Sequence, residues 1–279
     1  MLVFPKIKSV TEAIKLRGSS VRVGFVPTMG ALHKGHLSLI ERARKENDFV
    51  VASIFVNPTQ FDKEADLTKY PRGLEADLAM LRSTGCDMVF TPSTEEMYAQ
   101  NIQSESFDFD GLEQLMEGKH RTGHFDGVGT IVKRLFEVVK PNSAYFGEKD
   151  FQQLQIVKKL VEKNPWPIRI VGCPIFRETD GLAMSSRNLR LTKTQRAAVP
   201  LIYKTLLEVS KQFQTEEVLA IKERVTTIFD KHPVLRLDYF DIAEETSLRP
   251  VTNKDPKLTC RAFIAVFAGE IRLIDNMRL

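Results

Sequence analysis

Little in this 279-residue sequence is in excess, and several features are scarce. Cysteine occurs three times, at Cys86, Cys173 and Cys260, and never as a CxxC pair. Thiols so few and so widely spaced suggest neither a zinc site nor a disulfide framework, so a reduced, cytoplasmic protein is expected. No apolar run reaches the roughly 20 residues of a membrane span. "FVVASIFV" and "AFIAVFAG" have the length of buried strands, and the opening "MLVFPKIKSV" is too short in apolar length for a secretory signal. Charge of one sign is also lacking: 40 Lys and Arg against 36 Asp and Glu leave +4. That balance suits anionic small molecules and gives no nucleic-acid footprint. Repeats and low-complexity segments are missing, while a 43% hydrophobic content is enough for a sizeable core.

What is present is alternation. "VRVGFVPT", "FVVASIFV", "DMVFTP", "SAYFG" and "IRIVGCPI" read as strands. Between them "HLSLIERARKEN", "RGLEADLAMLRSTG", "GVGTIVKRLFEVVKP" and "DFQQLQIVKKLVEK" read as helices, the first with Leu37, Ile40 and Ala43 on one face. Strand–helix alternation of this kind predicts an α/β fold, a Rossmann-like doubly wound parallel sheet. From about Asn188 the pattern changes. Helical stretches over 193–214 and 216–231 precede three alternating segments, "LRLDYFDIAEE", "TCRAFIAVFAG" and "EIRLIDN". The expected division is a nucleotide-binding domain over 1–187 and a smaller C-terminal α+β domain, a lid, over 188–279.

Ligands of doubly wound sheets sit beyond the carboxyl ends of the strands. Three polar segments fall there: "PTMGALHKGH", "NPTQF" and "GEKD". In the first, His33 and His36 stand at the mouth of a helix, with Gly30 and Gly35 allowing close backbone approach. A helix N-terminus leaves amides free and carries partial positive charge, so it attracts phosphate. Imidazole donors fixed there stabilise charge that shifts around an α-phosphorus under attack. Each histidine taken singly is better explained as a residue that merely caps or decorates a helix. As HxGH between a strand and a helix they point to nucleotidyl transfer, a chemistry shared by a whole superfamily.

In "YFGEKDFQQLQI", Gly147 and Asp150 suit ribose hydroxyls and Lys149 suits phosphates, although Asp150 also fits a plain helix cap. Ser185, Ser186 and Arg187 in "MSSRN" offer several donors to a leaving pyrophosphate. The competing reading, which would win for this segment alone, is a polar interdomain linker ahead of a helix capped by Thr192. In favour of the functional one, Gly181 upstream suggests a loop able to move, as a lid over ATP needs. Gln60 and Gln153 are uncharged hydrogen-bonders for a substrate with hydroxyls and a carboxylate. Arg121 and His124 are equally site residues or a helix entry.

In order along the chain, "PTMGALHKGH", "FVNPTQF", "YPR", "GHFDGVGTIVKRLF", "YFGEKDFQQLQI", "GLAMSSRNLRLT" and "RLIDN" together closely resemble the pantoate–β-alanine ligase family. The resemblance implies that pantoate attacks Mg-ATP to form pantoyl adenylate and pyrophosphate, and that β-alanine then displaces AMP. It implies ATP contacts from Met29, Gly30, Ala31, Leu32, His33, Lys34, Gly35 and His36, with His36 as proton donor. Further ATP contacts would come from Gly147, Glu148, Lys149, Asp150, Phe176, Met184, Ser185, Ser186 and Arg187. Gln60 and Gln153 would bind pantoate, Gln60 also lying near β-alanine. Asp77 would stand near Mg2+, in a segment where Ala76 and Met80 replace polar groups of some members. Phe176 replaces an aliphatic residue, and Thr122 a proline. A homodimer is implied as well, with no nucleic-acid or membrane partner. Rivals are another HxGH nucleotidyltransferase, which would not release AMP to an amine, and a silent nucleotide sensor, which has no need of Lys149 or Ser185–Arg187. A tRNA synthetase is disfavoured by the modest charge and the lack of an anticodon-binding extension.

Overall fold

The computed structural model describes residues 1–61, 67–99 and 101–279. These form two compact units, one of residues 1–148 and 153–174, the other of 149–152 and 175–279. In the first unit β1 (Leu2–Phe4) and α1 (Ile7–Lys15) precede β2 (Val23–Thr28), α2 (Lys34–Glu46) and β3 (Phe49–Ile54). Then come α3 (Leu74–Ser83), β4 (Met88–Phe90), the single turns α4 (Thr94–Tyr98) and α5 (Met116–His120), and the long α6 (His124–Val139). β5 (Ser143–Gly147), α7 (Phe151–Glu162) from residue 153 on, and β6 (Arg169–Cys173) complete it. All strand pairs are parallel, in the order β1-β4-β3-β2-β5-β6. From β2 the chain steps to β3 and β4 on one side and later to β5 and β6 on the other. The direction of travel therefore reverses between β2 and β5, the point where such sheets open a crevice.

The period of two along β2 clothes both faces of the sheet. Val26 joins a buried cluster with Leu39, Ile40 and Ala43 of α2 and Leu78 and Leu81 of α3. Its neighbour Phe25 points the other way and meets Phe136 of α6, ring centroids 6.3 Å apart. The inner stripe of α2 runs through Leu39, Ile40 and Ala43. Leu37, expected on it, is only half-buried, because residues 39 and 43, four apart, take the inner line.

β2 and α2 are locked by a contact the sequence hides. A Cβ on Gly24 would lie 2.6 Å from the side-chain nitrogen of Asn47. With glycine there, Asn47 Nδ2 donates to the carbonyl of Ala43 (2.8 Å) and to the hydroxyl of Tyr145 (2.6 Å). That hydroxyl in turn donates to Glu46 (3.0 Å). The end of α2 is thereby tied to β5.

The second unit holds α8 (Lys193–Ala198), α9 (Leu201–Gln212), α10 (Val218–Asp230) and the strands β7 (Leu235–Glu244), β8 (Cys260–Ala268) and β9 (Ile271–Arg278). The strands form an antiparallel sheet with β8 in the middle. β8 is buried almost throughout, as a central strand covered on both faces should be. The helix expected over 193–214 breaks at Pro200, which has no N–H to donate back to Arg196, and resumes at Leu201. Thr192 does cap its start, in a reciprocal box with Gln195.

Residues 175–187, read with the nucleotide domain from composition, group here with the C-terminal sheet. Arg177 grips the nearly buried Asp275 through both guanidinium arms, at 2.7 and 2.9 Å, and Leu182 lies in this unit's core. Gly181 has φ +91° and lies so close to Tyr203 that a Cβ would come within 2.0 Å of the ring. The glycine thus serves a tight turn packed on α9, not a free hinge.

Two stability changes follow. Tyr145→Phe strands an Asn47 N–H and should cost about 1–2 kcal/mol, whereas Asp275→Ala leaves Arg177 without its counter-charge and should cost about 3–5 kcal/mol. Urea unfolding followed by far-ultraviolet circular dichroism checks both; equal midpoints for the two variants would contradict the ranking.

Candidate active site

β2 ends at Thr28, whose hydroxyl donates to the Ser53 carbonyl (2.7 Å) and accepts from the Gly30 amide (3.2 Å). Gly30 and Ala31 then both take positive φ, +82° and +49°. That double left-handed step turns the amides of Ala31 and Leu32 onto the two carboxylate oxygens of Asp77, at 3.0 and 2.7 Å. His33 returns to extended backbone, φ −145° and ψ 173°, as the N-cap of α2. Its amide donates to Nδ1 of His36 (3.3 Å), and the two rings lie 4.0 Å apart.

This contact selects a tautomer. A backbone N–H can only donate, so Nδ1 of His36 accepts and the ring proton sits on Nε2. His36 is thereby set as a neutral imidazole with an Nε2–H donor, at a helix end that already favours negative charge.

The pantoate residue expected at Gln60 lies in the same unit, in the short turn Pro58–Gln60 after β3. Its carboxamide oxygen accepts from Asn57 Nδ2 (3.2 Å), which leaves the NH2 end as donor; it now points to the Met29 sulfur at 2.8 Å. Gln60 is thus brought to Met29 of the histidine loop. Asn57 is itself held, its oxygen accepting from Tyr98 (2.6 Å) and its nitrogen also donating to the Gly127 carbonyl (3.1 Å). A Cβ on Gly127 would sit 2.2 Å from the Thr59 carbonyl oxygen, so glycine is required where α6 presses on this turn.

Arg121 and His124, left open by the sequence, both converge on Gln60. His124 Nδ1 donates to the Gln60 carbonyl (2.7 Å) and Arg121 Nη2 donates to the same oxygen (3.3 Å). Arg121 Nη1 lies 3.1 Å from His124 Nε2. Arginine only donates, so His124 Nε2 accepts and this imidazole too is neutral. These residues hold the backbone of Gln60. Asn57 was legible as an Asn-Pro turn signal; Tyr98 and Gly127 carried no local signal, because their partners lie far along the chain.

Asp77 is 3% exposed. Burial pushes its carboxyl up, while the amides of Leu32 and Ala31 pull it down. Mg2+ keeps several waters around it and needs room for them. A buried carboxylate with both oxygens on backbone amides does not fit as its ligand. Among the described residues no group of three or more His, Cys, Asp or Glu is placed to hold a metal. The cysteines are buried and free; desolvation raises the Cys86 and Cys173 thiols to about 11, so neither is a thiolate nucleophile at neutral pH.

Gly147 ends β5, Glu148 opens a short 3-10 turn, and Gln153 sits half-buried in the first turn of α7, all within the first unit. Lys149 and Asp150 belong with the second. Lys149 pairs loosely with Asp150 (3.6 Å), and its carbonyl accepts from Asn276 Nδ2 (2.9 Å). Asn276 accepts in turn from Arg261 (2.6 Å). Phe176 and Met184 face each other across a small antiparallel turn, the Met184 amide donating to the Phe176 carbonyl (2.9 Å). Ser185 caps the next 3-10 turn by accepting from the Arg187 amide (3.3 Å), and Ser186 is buried. The second unit thus gathers Phe176 with Met184 through Arg187 in one segment.

Comparison with known proteins gives this geometry a family. The pattern of the pantoate-beta-alanine ligase family matches residues 2–278. The chain is 50% identical to the pantothenate synthetase of Flavobacterium psychrophilum, with both chains covered completely. It is also 50% identical to that of Christiangramia forsetii, covering 100% of this chain and 99% of that one. Among solved structures, pantothenate synthetase from Thermus thermophilus superposes with a TM-score of 0.91 at 42% identity over 99% of each chain. The Francisella tularensis pantoate-beta-alanine ligase, solved in complex with beta-gamma ATP and β-alanine, gives 0.83 at 35% identity over 100% of this chain and 97% of that one. With its whole length matched, this chain belongs to the pantoate–β-alanine ligase family of enzymes.

Proposed function

We propose that this protein joins pantoate to β-alanine through a pantoyl-adenylate intermediate, with ATP as the activating substrate. A pantoate carboxylate oxygen attacks the α-phosphorus; the bond to the bridging oxygen breaks and pyrophosphate leaves with the electron pair. The β-alanine amine then attacks the acyl carbon, the bond to AMP breaks, and the amine loses a proton. Activation is needed because a free carboxylate is a poor acyl donor, whereas the mixed anhydride has AMP as a good leaving group.

The observation that carries the reading is the hydrogen bond from the His33 amide to Nδ1 of His36, from which the Nε2–H tautomer follows. An Nε2–H donor fixed in advance at a helix mouth meets charge that grows on phosphate oxygens in the transition state. In this reading His33 assists it, and Met29 to Gly35 receive the triphosphate. Lys149, Ser185, Ser186 and Arg187 bind the phosphates that depart. Gly147, Glu148 and Asp150 meet the ribose, and Phe176 and Met184 the base. Gln60 and Gln153 hold pantoate, and the Asn57 contact presents the NH2 end of Gln60 to an acceptor such as a carboxylate or hydroxyl oxygen. Magnesium enters as part of the substrate, Mg-ATP, and no step is assigned to a protein-bound ion. A cytoplasmic homodimer belongs to the same proposal, on the strength of the family; no helix among the described residues is long and apolar enough to cross a membrane.

AMP should appear when pantoate, β-alanine and ATP are supplied together, and its steady release should stop when either acid is omitted. Exchange of labelled pyrophosphate into ATP should need pantoate but not β-alanine. His36→Ala and Lys149→Ala should each lower that exchange by about 10²-fold or more, the usual effect of losing a donor to developing charge. Undiminished exchange in both variants would remove these side chains from the chemistry.

A further inference from the structure

The buried carboxylate of Asp77 has no part in the steps above, yet it lies against the loop that begins them. Three features of the first unit meet there. Gly30 and Ala31 run consecutively through positive φ, and Ala31, with its Cβ, adopts that conformation only when something holds it. The amides this step turns inward, those of Ala31 and Leu32, each end on a separate oxygen of Asp77. The fit is close: a Cβ on Gly30 would stand 3.0 Å from Asp77 Oδ2 and 3.1 Å from a methyl of Ile54. Asp77 itself is fixed in the first turn of α3, whose inner side is anchored in the core by Leu78 and Leu81.

We infer that Asp77 is a positioning residue that clamps the Gly30–Leu32 backbone in its left-handed turn and so sets where His33 and His36 stand, rather than a ligand for magnesium. The logic is geometric. His33 follows Leu32 directly, and the His33 amide must point at Nδ1 of His36 to fix its proton on Nε2. If the two preceding residues relax toward negative φ, that amide swings away and the tautomer is no longer chosen. A carboxylate is the one side chain of this length that can accept from both amides at once. Asparagine, of the same size, accepts with one oxygen and turns an NH2 toward the other amide.

The inference rests on the proposed role of His36, so its test has one arm that needs no turnover. In the wild-type protein the amide hydrogens of Ala31 and Leu32 should exchange slowly with solvent although they sit in a loop without a backbone partner; rapid exchange at both overturns the clamp, whatever the enzyme does. In the active enzyme, Asp77→Asn should lower the rate of pantoate-dependent pyrophosphate exchange by about tenfold, the worth of one hydrogen bond to a charged group. The magnesium concentration giving half the maximal rate and the KM for pantoate should stay unchanged. Adding Ala31→Gly to Asp77→Asn should recover much of the loss, since glycine adopts positive φ unaided. A shifted magnesium requirement with no recovery from glycine would assign Asp77 to the metal instead. Were wild-type exchange of pyrophosphate independent of pantoate, the functional reading would fail while the amide measurement still judged the clamp.

Discussion

An imidazole that is neutral can donate from one nitrogen only. In this protein a backbone amide takes Nδ1 of His36, and the remaining nitrogen becomes the donor. Much of the local architecture serves that one contact. The amide belongs to His33, which must be extended to cap α2. His33 is extended because the loop before it has completed a left-handed turn, and that turn begins where β2 ends, beside β3. The sheet contributes the last element: strand order reverses between β2 and β5, so the loop opens at the sheet's carboxyl edge, where the crevice of such folds lies.

A second, independent lattice of hydrogen bonds orients Gln60. Tyr98, Asn57, Gly127, His124 and Arg121 surround it through contacts that span from three to seventy positions along the chain. Each contributes a polar group, Gly127 its backbone carbonyl, and most are buried. Such a network specifies one arrangement, because buried polar groups must keep their partners. Its effect is to decide which end of the Gln60 carboxamide is the donor turned toward Met29.

The parts of this molecule that were legible in its sequence are those whose cause is local. Strand–helix alternation, the apolar run of β3 and the glycine- and histidine-rich turn after β2 follow from residues near one another, and the parallel sheet with its small antiparallel companion was readable from them. What escaped is long-range. Asp77 reads as an acid in an amphipathic helix, and nothing near it announces two amides 45 and 46 positions away. Gly181 reads as a hinge until Tyr203 is seen against it. The break at Pro200 was overridden by good helix formers on both sides, although proline's missing donor was sufficient reason for it. The edge of the second unit lies ahead of the change in composition because residues 177–182 are tied into it over long range, Arg177 to Asp275, Glu178 and Asp180 to Arg196, and Leu182 in the core.

The hydrogen bond from Asn276 to the carbonyl of Lys149 bridges 127 positions of chain. β9 brings no reactive group of its own, yet its penultimate stretch is a mould in which the turn carrying a lysine is cast. Re-registering that strand would therefore be felt as a displaced turn, and with it a displaced lysine.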